Sequence, residues 1–295
     1  MQRPSSPPAG AAVSSYPVAL AFRFITFLTD YGLEDEFVGV CHGVIKRFAP
    51  DVEIIDISHG IPPQDVTAGA NVLAQAVPFM PPAVHLAVVD PGVGTHRRCV
   101  VIGTKDGPPL IGPDNGLLWI AAQKLGGVVQ AHEITNGDLF LRTPSNTFHG
   151  RDVFSPVAAR LALGMPPEEV GPPVDVEDLV TLEIPESRVD DDHVHGLVVQ
   201  ADHFGNLQLN VHRQDLEGAG IMLGDDLELR VGGRAYAIPY RQAFAEVPQG
   251  KLALLEDSYR HITIIVNKGH AARFLEARRG DPVILARAPR VAGGA

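Results

Sequence analysis

The chain is predicted to be an α/β protein in two parts: a mostly parallel sheet covered by helices on both faces, followed by a small all-β barrel. Three observations predict it. From Phe24 to about Leu163, β-branched and apolar runs alternate with stretches whose apolar residues recur at helical spacing. Between Met165 and His195 the composition turns to proline pairs and acidic runs, including Asp190 to Asp192, as a linker does. Beyond it, short strand-like segments are separated by Gly, Asn and Asp turns, the spacing of a barrel. The expected organisation is a leader over 1–22, an α/β domain over 23–164, a linker over 165–195 and a barrel domain over 196–295.

Taken in order, Phe24 to Thr29 (FITFLT) reads as a buried strand ending at Asp30-Tyr31-Gly32. Asp35 and Glu36 precede a helix over Phe37 to Phe48, with Lys46 and Arg47 near its finish, as the helix dipole prefers. Val52 to Ile57 makes the next strand and Ser58-His59-Gly60 turns the chain. Gln64-Asp65 opens a helix through about Val77, where Pro78 and the Pro81-Pro82 pair stop it. Val84 to Val89 then runs into Asp90 and a Pro-Gly-x-Gly turn. That places an acid at the carboxyl end of a buried strand, where open α/β sheets keep their ligand crevices. Gly92 and Gly94 permit a sharp bend and close backbone approach, and Arg97 and Arg98 add fixed positive charge. Cys99 to Gly103 and Pro109 to Ile111 read as strands, the latter feeding the turn Gly112 to Gly116 and a helix over about Leu117 to Leu125. Thr147 to Asp152 (TFHGRD) precedes a helix over Val153 to Leu163, so His149, Arg151 and Asp152 stand where unpaired helix amides suit a polar ligand. The barrel segments are Gly196 to Gln200, Leu207 to Val211, Asp226 to Val231, Arg234 to Pro239, Lys251 to Leu255, Ile262 to Val266 and Pro282 to Ala286.

Bulk properties exclude several classes of function. The net charge is −11 and no basic run exceeds a pair, so a nucleic-acid partner is not expected. Cys41 and Cys99 are the only cysteines, which rules out a disulfide framework and a thiolate metal cluster and fits a reducing cytoplasm. The stretch Val18 to Phe22 is too short for a signal-peptide core, and no apolar run is long enough to span a bilayer. A cytoplasmic location and no membrane partner are expected.

Seven islands occur in one order: FLTDYG (27–32), VVDPGVGTHRR (88–98), GPDNG (112–116), TFHGRD (147–152), DHFGN (202–206), FAEVPQG (244–250) and IIVNKG (264–269). Together they resemble the S-adenosyl-L-methionine hydroxide adenosyltransferase family, whose halogenating relatives are the fluorinase and chlorinase, over about residues 24 to 285. The resemblance implies an N-terminal αβα sandwich, a C-terminal β-barrel and a homotrimer with active sites at subunit interfaces. It also implies the reaction: water or hydroxide displaces methionine from the 5′ carbon of S-adenosyl-L-methionine, giving adenosine and L-methionine, with no cofactor and no metal. A sulfonium departs as a neutral thioether, so the demand falls on activating the nucleophile. Asp90, Arg97 and His149 resemble the family's water-activating trio; Arg97 favours developing hydroxide, while Asp90 or His149 accepts its proton. Asp30 resembles the residue that binds the ribose hydroxyls. Asp35 and Asp202 resemble partners of the methionine ammonium, with Ser258 close by. Asn206, Phe244, Val266 and Asn267 resemble the adenine site. At Tyr259 the halogenating relatives tend to carry arginine, and at Asp90 an uncharged residue, so hydroxide chemistry with little halogenation is expected.

Plainer roles compete for some of these residues. Asp30 can cap the following helix, Asp202 and Asn206 can hold their own turn, and Phe244 can be core. His42, His59 and His85 have no partner identifiable in the sequence and read as structural. Two other functions stand beside the transferase: a non-catalytic sensor of adenosine or S-adenosyl-L-methionine, and a metal-dependent hydrolase built on Asp30, Asp90, His149 and Asp152, for which no HxxxH-type ligand pair is present.

Overall fold

A computed structural model describes residues 21–288, and the chain divides between Leu182 and Glu183. The first unit runs β1 (Phe24–Thr29), α1 (Phe37–Phe48), β2 (Glu53–Ser58), α2 (Val66–Ala76), β3 (Ala83–Val88), β4 (Cys99–Thr104), β5 (Leu110–Pro113), α3 (Trp119–Lys124), β6 (Val128–Glu133) and α4 (Ser155–Ala162). Its six strands order as β2-β1-β3-β5-β4-β6. β1 is parallel to β2 and β3, and β3 to β5, whereas β4 runs antiparallel to both its neighbours.

Strand alternation sends successive side chains to opposite faces, and the two cores of this unit show it. Ile25 and Phe27 of β1 join Val84 and Leu86 of β3 in one core with Cys41 and Ile45 of α1 and Val157 and Leu161 of α4. Leu28 joins Ala87 and Val89 in the other, with Ala70 and Leu73 of α2 and Ala121 and Ala122 of α3. Helices therefore cover both faces, as the alternation of segments predicts. β6 was not expected; it pairs antiparallel with β4, the one strand that runs against the rest of the sheet. The helix expected from Val153 begins with one π-helical stretch over Gly150–Phe154 before α4.

Of the stretch 165–195 expected as a linker, residues 165–182 pack on the first unit: Val170 and Leu179 are buried, and Pro173 bridges to His132 beside β6. Its proline and acidic content suits irregular chain that shields an edge strand. The expected leader lies outside the described residues except Ala21 and Phe22, whose backbone amides donate to the Ala162 carbonyl.

The second unit runs β7 (Arg188–Asp190), β8 (His193–Ala201), β9 (Leu207–His212), α5 (Arg213–Gly218), β10 (Asp226–Val231), β11 (Arg234–Pro239), β12 (Leu252–Glu256), β13 (His261–Val266), α6 (Ala271–Leu275) and β14 (Pro282–Arg287). The strands order as β11-β10-β14-β8-β9-β13-β12, with β7 on β8, and every pairing between them is antiparallel. A bridge from Tyr240 to Leu254 draws the two ends together, so the sheet is a nearly closed barrel around Val198, Leu209, Leu229, Ile264 and Leu285. Among the described residues no helix is long and apolar enough to cross a membrane.

Candidate active site

The seven residues before Asp90, Ala83 to Val89, are all buried, so the strand delivers its terminal carboxylate from a rigid base. Asn115 secures that end by donating its side-chain amide to the Val89 carbonyl at 2.9 Å. The chain then folds back through a tight loop in which Gly94 takes φ 76°, and a Cβ there would meet the Asn146 carbonyl oxygen at 2.4 Å. The loop returns Arg97 onto Asp90. Arg97 Nε donates to both carboxylate oxygens at 3.0 Å, and Nη2 donates to Oδ2 at 2.5 Å. The same Nη2 contacts His149 Nδ1 at 2.8 Å, and Nη1 donates to Cys99 Sγ at 2.8 Å. Arg98 turns away to pair with Asp114, which also accepts from the Val180 amide.

His149 is set by the chain around it. Asp152, 1% exposed, binds Arg151 and accepts from the Ser145 amide at 2.7 Å, closing the segment that carries His149. Gly150 faces the Tyr31 hydroxyl so closely that a Cβ would sit 2.1 Å from its oxygen. Phe148 meets the Tyr31 and Phe37 rings edge to face beside it, and the three ring centroids lie 5.2–5.9 Å apart.

The electrostatics follow from burial around one fixed cation. Burial opposes the charge on Arg97, but its hydrogen bonds to Asp90 and Cys99 and the Asp90 charge outweigh it and raise its pKa. Burial, and then the Arg97 charge, lower that of His149, so the imidazole is neutral at pH 7. A guanidinium only donates hydrogen bonds, so Nδ1 accepts and the ring proton sits on Nε2. Burial raises the Cys99 thiol despite Arg97, and pushes the Tyr31 phenol well above its ordinary range. Both stay neutral.

The structure thus brings Asp90, Arg97 and His149 together and adds Cys99, which no motif singled out. Tyr31 and Asn115 are further supports that sequence reasoning placed only within turns. Asp30 stands half-buried at the end of β1 and accepts from the Gln64 amide at 2.8 Å, so it braces the turn into α2 rather than capping α1. Asp35 is exposed before α1. In the second unit, Asp202 accepts from the amides of Phe204 and Asn206 and from the Asn206 side chain at 2.8–2.9 Å, so those two residues hold their own turn. Phe244 is 47% exposed and thus not core. Ser258 is exposed, Val266 is buried, and the Asn267 side chain donates to the Val247 carbonyl. Asp30, Asp90 and Asp152 each have separate backbone or arginine partners and do not form a shared ligand set. Among the described residues, three ligand atoms close enough to share a metal ion occur at His42, Asp56 and His59 instead.

Comparison with known proteins identifies the family. Residues 25–171 match the model of the SAM hydroxide adenosyltransferase N-terminal domain, and residues 196–284 that of its C-terminal domain. The chain is 48% identical over 258 residues to the (R)-S-adenosyl-L-methionine hydrolase of Salinispora tropica, covering 88% of this chain and 95% of that one. It is 30% identical over 251 residues to the fluorinase of an Actinoplanes species, covering 76% and 84%. A crystal structure of a conserved protein from Thermotoga maritima superposes with a TM-score of 0.84 at 39% identity, over 89% of this chain and all of that one. With two family domains matched in order and a relative aligned over nearly its full length, the chain belongs to the SAM hydroxide adenosyltransferase family.

Proposed function

We propose that this chain hydrolyses S-adenosyl-L-methionine at the bond between C5′ and the sulfonium, giving adenosine and L-methionine. The observation that carries the reading is one guanidinium, Arg97, bonded at once to a carboxylate and a neutral imidazole. Relatives named (R)-S-adenosyl-L-methionine hydrolase lend it support.

In the reaction, the oxygen of water forms a bond to C5′ while the C5′–S bond breaks, its electron pair staying on sulfur. Methionine leaves neutral at sulfur, so no acid is required there. The contacts with Asp90, Cys99 and His149 engage four of the five guanidinium N–H groups of Arg97, leaving one on Nη1 to donate toward the attacking oxygen. His149 donates from Nε2 and orients the water; its Nδ1 is occupied by Arg97. The proton therefore goes to Asp90, whose carboxylate has about four acceptor sites and uses three for Arg97. Holding the oxygen in line behind C5′ contributes part of the roughly 7–11 kcal/mol available to well-oriented reactants.

The substrate contacts belong to the same proposal: Asp30 for the ribose hydroxyls; Asp35, Asp202 and Ser258 for the methionine ammonium; Asn206, Phe244, Val266 and Asn267 for adenine. No cofactor takes part. A homotrimer in the cytoplasm completes the reading, and a solution mass of a single chain by light scattering contradicts that assembly. The principal test is to incubate the purified chain with S-adenosyl-L-methionine and follow products by chromatography. Equimolar adenosine and methionine are expected, with little 5′-halo product when chloride or fluoride is added. Binding without adenosine release identifies a sensor and overturns the enzymatic reading.

A further inference from the structure

Three side chains with metal-ligating atoms converge outside the reaction described above. His42 on α1 places Nε2 2.9 Å from Asp56 Oδ1 on β2. His59, in the turn after β2, places its own Nε2 3.1 Å from the same oxygen. The three ligand atoms all lie within 4.8 Å of one another. β2 is an edge strand, and the Phe27 ring backs the cluster, its centroid 4.9 Å from that of His59 and 5.8 Å from that of His42. The cluster is thus closed on its apolar side and reached from solvent past His42 and Asp56, whose side chains are 30% and 41% exposed.

The informative atom is His59 Nε2. Its side chain is only 3% exposed, and the atom has no hydrogen-bond partner. The Asp56 oxygen is near enough for a charge contact but off the hydrogen-bonding direction. On the far side of the ring, Nδ1 lies 2.8 Å from Thr29 Oγ1. When the ring donates its Nδ1–H to that hydroxyl, Nε2 is left with a buried, unshared lone pair beside a carboxylate oxygen, and a cation bound to both atoms would satisfy it. An imidazole whose second nitrogen is hydrogen-bonded to an oxygen is the usual setting of a metal-bound histidine.

We propose that His42, Asp56 and His59 bind one divalent first-row transition cation of the zinc class, with solvent completing its coordination. The separations of 2.9 and 3.1 Å are close to the edges, about 3.0–3.4 Å, of a polyhedron around an ion with bonds of about 2.0–2.1 Å. Two imidazoles and one carboxylate suit zinc, cobalt or nickel and not the all-oxygen preference of magnesium or calcium. The ion is structural. It ties α1 to β2 and to the turn whose His59 carbonyl accepts from the Gly32 amide at 2.8 Å. The His59 ring also touches Thr29, so the ion braces both ends of the segment that carries Asp30 and Tyr31.

The test is titration of the untagged full chain, stripped with chelator, with Zn2+ by calorimetry and with Co2+ by visible absorption. One tight equivalent per chain is expected, with Co2+ bands of a nitrogen-ligated site and a rise in melting temperature on adding Zn2+. His42→Ala and Asp56→Asn, both at partly exposed positions, should weaken binding at least 100-fold and abolish the thermal shift while keeping the native circular dichroism spectrum. His212→Ala, which alters another histidine pair with rings 4.5 Å apart, should leave the tight equivalent intact. The proposal is overturned if no tight equivalent exists, or if it survives unchanged in His42→Ala. The readout is binding, so it stands or falls separately from the hydrolysis.

Discussion

Replacing Asp90 by Asn tests the core of the site because it removes a charge while keeping the shape. Asp90 and Arg97 are joined through three contacts, with side chains only 6% and 10% exposed. The amide can accept from Nε but turns its NH2 toward Nη2, so at least one charge-assisted hydrogen bond, worth about 1.5–3 kcal/mol, is lost. The gross attraction of charges about 4 Å apart at an effective dielectric constant of about 20 is roughly 4 kcal/mol, and it goes too. Uncovering one partner of a buried pair costs about 3–5 kcal/mol. At about 2–4 °C per kcal/mol for a unit of this size, the melting temperature should fall by roughly 10 °C. The chemical step loses its proton acceptor, which costs about 10²–10⁴ in kcat. KM for S-adenosyl-L-methionine should move only a few-fold, since Asp90 is assigned no substrate contact. The assay is adenosine release at saturating substrate, run well below the melting temperature of the variant. A kcat within about three-fold of wild type, together with the lower melting temperature, would show that the ion pair is only structural and refute the assignment of Asp90.

Further outcomes follow from other parts of the site. His149 has its pKa lowered below 6.5, so kcat/KM should stay level near neutrality and fall only in acid, where a protonated Nδ1 faces Arg97; a decline beginning above pH 7 contradicts the neutral-imidazole role. Burial lowers His85 to about 4, so the unfolded chain takes up this proton first as pH drops. Stability from this residue is intact above pH 6.5 and is lost toward pH 4, a difference on the order of 3 kcal/mol. Denaturant titrations of His85→Gln should show a shallower acid loss than wild type, and identical slopes would be the negative result. Gly150→Ala pushes a methyl into the Tyr31 hydroxyl and should cut kcat at least ten-fold, with Tyr31→Phe in the same chain restoring part of it; additive losses contradict the contact. Asp202→Ala should raise KM about ten-fold, whereas a lower melting temperature with unchanged KM assigns the residue to its turn alone.

What the sequence made legible is tied to periodicity. β1, β3 and β10 are apolar or alternating runs with turn signals on either side, and α1 coincides with its predicted span, Phe37 to Phe48. β6 escaped because Val128–Glu133 mixes exposed and buried positions without a clean period; only its pairing with β4 makes it a strand. The π-helical stretch at Gly150 escaped for a different reason. Gly150 there packs against Tyr31, more than a hundred positions earlier in the chain, and a pattern confined to one window does not contain that contact. At the site, Asp90, Arg97 and His149 were found by motif, while Cys99 looked like the first residue of a buried strand. Its sulfur meets Arg97 only because the loop folds the guanidinium back along that strand. The histidines read as structural divide likewise. His85 is a buried ring held by Thr26, but His42 of α1 and His59 of the turn after β2 converge on Asp56.

In the proposed mechanism, a carboxylate at position 90 favours water over an anion. Arg97 is already paired with Asp90, so an approaching halide meets no net positive charge: the attraction of the guanidinium is offset by the like charge of the carboxylate. Water arrives neutral. It can give a hydrogen bond to Asp90 while receiving from the remaining Arg97 N–H and from His149 Nε2, which requires both the neutral imidazole and the Arg97 contact that fixes its tautomer. In that mechanism each member of the trio depends on the other two: Asp90 holds the guanidinium in place, the guanidinium fixes the histidine as a donor, and the two donors leave the carboxylate as the group toward which a proton can move.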